Sequence, residues 1–191
     1  MLERRTGLDA PYVEGTCTWV MADGVGVLTS SSFGSCVGLA LYGPRHHRGV
    51  VAHFAGELGR DTEKSGRYAM EILREACPVL RGPWTGWVFG GSSLNRGSDI
   101  ITTTGDKLTK PLIDAVRKAL HGNRYIPINV LRNAAEQRAP ETQAGKYPYH
   151  SAVALDVATG KITYPRVANL ATEGGSEKVV VTKQRRKSGN F

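Results

Sequence analysis

The chain has 191 residues, 40% of them hydrophobic and 22% charged. That is ordinary globular composition and excludes collagen, a coiled coil and full disorder. With 25 Lys+Arg against 17 Asp+Glu the formal net charge is +8. Such a balance favours acidic partners without choosing among nucleic acid, an anionic membrane face and an acidic protein surface.

Residues 1–11 read as an N-terminal extension, 12–170 as one folded domain and 171–191 as a basic tail. Met1-Leu2-Glu3-Arg4-Arg5 lacks the apolar region of a secretion signal. From Tyr12 to Met21 the residues alternate as a strand, with Val13, Cys17, Trp19 and Met21 for one face. Asp23-Gly24 and Gly26 mark a turn. Val27 and Leu28 lead into a polar loop, Thr29 to Ser32. The apolar run Val37 to Tyr42 stops at Gly43-Pro44, and a second run, Val50 to Phe54, follows the basic turn Arg45 to Gly49. The two runs pair as an antiparallel hairpin.

Asp61-Thr62 caps a helix running to about Cys77, with Ala69, Ile72, Leu73 and Ala76 on one face. Trp84 to Phe89 reads as a buried strand, and Ser92 to Gly105 as a polar loop. A second helix is expected from about Thr109 to His121, with Pro111 in its first turn and Gly122 at its end. Ile126 to Leu131 alternates as a strand. Ala152–Val157 and Lys161–Val167 flank Thr159-Gly160, a hairpin signal. Strands, helix, strand, helix, strands: this order predicts an α+β domain with a mainly antiparallel sheet or pair of sheets.

Three cysteines, Cys17, Cys36 and Cys77, with no CxxC pair, argue against a disulfide framework and for a reducing compartment. Cys36 follows Gly34-Ser35 where the loop meets an apolar strand. A thiol there can lie beside backbone N–H groups that hold an oxyanion, those of Ser35 and Cys36. His53 sits on the returning strand, and a Cys–His pair is the minimum for a thiol nucleophile with a general base. Ser30 and Thr29 offer a hydroxyl to orient the imidazole. Cys17 and Cys77 read as structural. A metal set of Cys36, His46, His47 and His53 is disfavoured, because adjacent residues on an extended chain point apart. Neither a metal nor a cofactor is expected.

The stretch from Ser30 to Pro44, with Gly34-Ser35-Cys36-Val37 at its centre, followed by Gly49-Val50-Val51-Ala52-His53, resembles the CheD family of protein-glutamine deamidases. Tyr68-Ala69, Phe89-Gly90-Gly91 and Asp156 to Lys161 agree with the family in order. The resemblance implies a single-domain α/β/β/α sandwich shared with cysteine deamidase toxins such as the cytotoxic necrotising factors. It implies a Cys-His-Thr triad, which carries over as Cys36, His53 and, at the threonine position, Ser30, with Thr29 the alternative. The chain departs from the family where Ala55-Gly56-Glu57 replaces Met-Leu-Pro. The implied partner is a protein bearing the target glutamine, a chemoreceptor or another cellular protein reached as a delivered effector, with no obligatory nucleic acid and no membrane span. The implied compartment is the cytoplasm of the producing or target cell. Transglutaminase-type acyl transfer and non-enzymatic nucleic-acid binding are the alternatives. The basic tail, with Lys183, Arg185, Arg186 and Lys187, reads as a solvated end.

Overall fold

The computed structural model describes residues 1–33, 36–76, 84–90, 99–121, 128–130 and 151–163. Its elements are β1 (Leu2–Arg4), β2 (Cys17–Asp23), β3 (Val27–Phe33), β4 (Val37–Gly43), β5 (Arg48–Phe54), a short 3-10 helix (Gly56–Arg60) and α1 (Thr62–Ala76). There follow β6 (Thr85–Gly90), α2 (Asp99–His121), β7 (Ile128–Val130), β8 (Ser151–Asp156) and β9 (Ile162–Thr163).

The expected hairpin is the centre of the fold. β4 and β5 pair antiparallel from Val37–Phe54 at the open end to Gly43–Arg48 at the turn. They sit in the middle of a six-stranded sheet ordered β1-β2-β5-β4-β6-β7, and β3-β8-β9 form a second sheet. Most pairings are antiparallel, while β1–β2 and β6–β7 run parallel. Both faces of the central hairpin are covered, which is why its strands read as unbroken apolar runs instead of alternating ones. Val37, Leu39, Leu41, Val50, Ala52 and Phe54 pack toward α1 and α2. Cys36, Ala40, Tyr42 and Val51 pack with Leu28, Phe33 and Leu155 of the small sheet and with Val157 just after it. The result is an α+β sandwich: helices, large sheet, small sheet. A helical layer over the outer face of the small sheet is not among the described residues.

α1 forms as its apolar spacing predicts. The Asp61 carboxylate accepts the Lys64 backbone N–H at 2.9 Å, satisfying one orphan donor at the helix start. Ala69, Ile72, Leu73 and Ala76 are all buried.

Three expectations are corrected. The stretch Thr29–Ser32 is strand, not loop: β3 pairs antiparallel with β8. Its polar residues hide an ordinary alternation, because Leu28 and Ser30 point inward while Thr29 points out. The second helix begins at Asp99, not Thr109, so Pro111 lies inside it. Residues 99–105 therefore belong to a helix despite three threonines and Gly105, which favour other states. The 3-10 helix packs so tightly on this helix that a Cβ on Gly59 would stand 1.9 Å from the Leu108 carbonyl oxygen. Finally, β2 starts only at Cys17.

Residues 1–11 are woven into the sandwich. β1 pairs with β2, and Leu8–Ala10 runs beside β3 through Thr29 N–H to Leu8 O at 2.8 Å and Ala10 N–H to Thr29 O at 2.9 Å. Cys77, Gly34, Ser35, Gly122, residues 92–98 and the basic tail lie outside the described residues. Among the described residues no helix is long and apolar enough to cross a membrane.

Candidate functional site

β-sheet register builds the site. Thr18, His53, Gly38 and Phe89 lie side by side in one row across β2, β5, β4 and β6. Cys36 stands two residues before Gly38, so its side chain leaves the same face of the sheet, diagonal to His53. That face looks into the space between the two sheets. Gly38 is required there: a Cβ would stand 2.1 Å from the Phe89 ring, which fills the space above it. Phe89 meets Phe33 edge-on at 5.1 Å, and Phe33 stacks on the His53 imidazole at 4.4 Å with planes 19° apart.

Phe33 and Ser30 both reach His53, although an odd spacing on a regular strand would send them to opposite faces. The β3–β8 register explains it. Ser30 pairs with Val153 and Phe33 with Ser151, so β3 carries one extra residue in between. This bulge turns Phe33 back to the face that Ser30 already occupies.

Ser30 Oγ lies 2.9 Å from His53 Nδ1. The same hydroxyl makes a short hydrogen bond to the Ala10 carbonyl. A carbonyl can only accept, so the single hydroxyl proton of Ser30 goes to Ala10. Ser30 Oγ must then accept at the imidazole, which places the histidine proton on Nδ1. Nε2 keeps its lone pair, and it is buried with no hydrogen-bond partner among the described residues. His53 is 1% exposed. Burial lowers its pKa to about 4, against the opposing pull of the Ala10 carbonyl, so the ring is a neutral base at physiological pH.

Of the two candidate hydroxyls, the structure brings Ser30 to His53. Thr29 Oγ1 faces outward to Asp9 Oδ1 at 3.2 Å and the Leu8 carbonyl at 3.4 Å. Cys36 is 7% exposed, the edge of the buried face. The backbone N–H of Ser35, one expected oxyanion donor, lies outside the described residues. Cys17 is fully buried on the opposite, helix-facing side, where burial pushes its thiol well up. His46 and His47 sit in the β4–β5 turn, with His47 Nδ1 against the Ala158 carbonyl at 3.0 Å. The seven-residue strands hold them ~20 Å from Cys36 and His53 at the open end, so these four do not assemble. Among the described residues no three His, Cys, Asp or Glu side chains gather as metal ligands.

Two side chains to which the sequence assigned no functional role join the site. The Tyr12 ring lies 5.8 Å from His53, tilted by 53°. Its hydroxyl donates to Glu57 Oε1 at 3.3 Å and is within electrostatic reach of Cys36. Burial and the Glu57 carboxylate push the Tyr12 pKa to about 12, so it stays a donor. Glu57 belongs to the 3-10 helix directly after β5, which carries His53. The sequence signal for Glu57 was the departure at Ala55-Gly56-Glu57, and Tyr12 had none. A groove between α1 and α2, lined by Gly66, Met70, Pro111 and Ala115, lies on the other side of the sheet and has no part in this chemistry.

No family model matches the chain. No curated protein matches it either. Among solved structures, the hypothetical protein YfiH of Bacillus licheniformis is similar over 67% of this chain and 61% of that one, at 13% identity and a TM-score of 0.39. None of these comparisons places the chain in the CheD family.

Proposed function

We propose that the chain is a cysteine amidohydrolase that converts a glutamine side chain of a protein to glutamate, as the resemblance to CheD implies. The observation that carries the reading is the Ser30–His53 contact. It leaves Nε2 as a basic nitrogen, without a hydrogen-bond partner among the described residues, on the sheet face from which Cys36 projects.

The roles follow from those atoms. Cys36 Sγ attacks the carboxamide carbon while His53 Nε2 takes the thiol proton. The C–N bond breaks as that proton passes to the departing nitrogen, giving ammonia and a thioester. His53 then takes a proton from water, whose oxygen attacks the thioester carbon. The C–S bond breaks and the thiol is restored. Ser30, anchored on Ala10, holds the imidazole in the tautomer this needs. A neutral resting imidazole favours proton transfer during attack over a standing thiolate–imidazolium pair.

The test is intact mass spectrometry of candidate protein substrates incubated with the wild-type chain and with Cys36→Ala. Deamidation appears as the mass gain of an NH2-to-OH exchange and needs Cys36. Transglutamination would instead add an amine, and no change on any glutamine-bearing protein would refute the reading.

A further inference from the structure

Thr18 puts a hydroxyl into a buried apolar strand. It is 1% exposed on β2, between Cys17 and Trp19, where a valine would fill the same volume with no polar atom to desolvate. It stands directly opposite His53 in the antiparallel β2–β5 pair, so both side chains leave the same face. Its Oγ1 donates to the Pro11 carbonyl. One residue earlier, the Ala10 carbonyl accepts the Ser30 hydroxyl, and the Ala10 N–H donates to the Thr29 carbonyl at 2.9 Å. Ala10-Pro11 is therefore tied to the small sheet through β3 and to the large sheet through Thr18. Proline has no N–H with which to make that second tie. Its φ is fixed, and the residue before it is confined to extended backbone. Holding the Pro11 carbonyl thus also sets where the Ala10 carbonyl points.

We propose that Thr18 is a positioning residue for the base: by pinning Pro11 it keeps the Ala10 carbonyl on the Ser30 hydroxyl, and so keeps the His53 proton on Nδ1 and the lone pair on Nε2. The inference rests on the deamidase reading for what that lone pair does, and it adds a residue to that reading. The two imidazole tautomers are both neutral, so the hydrogen bond made at Nδ1 decides between them. Ser30 has one proton to give. While Ala10 takes it, Ser30 only accepts, and Nδ1 must carry an N–H. Released from Ala10, the hydroxyl turns and donates to Nδ1, and the ring proton moves to Nε2. A ring protonated there cannot take the proton of Cys36. Thr18 acts through Pro11, Ala10 and Ser30 and has no part in the bonds that form and break.

The experiment needs no substrate. Side-chain nitrogen NMR shifts of His53 in the full chain, assigned by their loss in His53→Gln, tell the two tautomers apart. In the wild-type chain at neutral pH the Nδ1–H form dominates. In Thr18→Val the ratio of Nδ1–H to Nε2–H falls about fivefold, the equilibrium worth of one ordinary hydrogen bond, and Thr18→Ser keeps the wild-type ratio. Ser65→Ala is the control. It removes another buried hydroxyl bonded to backbone carbonyls, those of Leu58 and Asp61, on the helix side of the sheet, and it leaves the ratio unchanged. A wild-type ring protonated on Nε2 overturns the proposal whatever the variants do. So does an unmoved ratio in Thr18→Val, or an equal fall in Thr18→Ser or Ser65→Ala. Should Thr18→Val not fold, Thr18→Ala is read in its place, and failure of both makes the hydroxyl part of the fold alone, which also overturns the proposal. The deamidase reading is scored separately, by mass gain on protein substrates. A ratio that falls as expected with no mass gain would keep the hold of Thr18 on the imidazole and sink the enzyme, and mass gain with an unmoved ratio would do the reverse.

Discussion

Acid should unfold this protein through His53. The imidazole is 1% exposed, and burial takes its pKa from an ordinary 6.5 to about 4. Between those values the unfolded chain binds a proton that the folded chain refuses, so acidification favours unfolding. The stability tied to the neutral ring is present above pH 6.5 and lost as pH falls through about 4. At about 1.4 kcal/mol for each tenfold difference in proton affinity, the loss reaches about 2 kcal/mol at pH 5 and about 3 kcal/mol at pH 4. That is a large share of the ~5–15 kcal/mol that holds a typical domain. Urea unfolding at half-unit steps from pH 7.5 to 4, on wild type and His53→Gln, measures it. Asp23, held low by its hydrogen bonds to Arg48, also weakens the fold in acid. It does so equally in both proteins, so the difference curve isolates His53. Parallel curves, agreeing within about 0.5 kcal/mol across the range, would refute the argument. They would mean the buried ring accepts its proton without cost.

Three further outcomes are expected. Ser30→Ala strands both the Ala10 carbonyl and His53 Nδ1 in a buried place and costs ~1–3 kcal/mol by chemical denaturation, while Thr29→Ala, whose hydroxyl faces out, changes stability by under about 0.5 kcal/mol. Gly59→Ala drives a methyl into the backbone of α2 and costs ~1–3 kcal/mol, whereas Gly66→Ala in α1, with no atom nearer than 3.8 Å, gains ~0.5–1 kcal/mol in thermal melts. Native-state alkylation should mark Cys36 and spare Cys17, which is fully buried with its thiol pKa pushed up, and the two should react alike once the chain is unfolded in urea.

How much of this was legible beforehand depends on the range of the interaction involved. The α1 apolar stripe, its Asp61 cap and the β4–β5 hairpin are local patterns, so the residues themselves carry them. The hairpin in turn sets Cys36 and His53 on adjacent strands, and strand alternation sets them on one face. The helical turns before Thr109 were illegible because threonine and glycine favour other states, and contacts such as that of Gly59 with Leu108 lie about fifty residues apart in sequence.

The choice between Ser30 and Thr29 shows where the sequence stopped. Both hydroxyls stand near the right spacing, and only the inward phase of β3 selects one. The bulge that returns Phe33 to the same side belongs to the pairing with β8, more than a hundred residues later in the chain. The Ala10 carbonyl that sets the imidazole tautomer is backbone, which no residue type announces. Composition and periodicity thus determined the β4–β5 hairpin, α1 and the placing of Cys36 and His53 on adjacent strands, because those rest on local patterns. The tautomer, the clamp of Phe33 and Phe89, and the meeting of Tyr12 with Glu57 were decided only when two sheets and the N-terminal segment closed over His53, since each is a contact between residues that the chain keeps far apart.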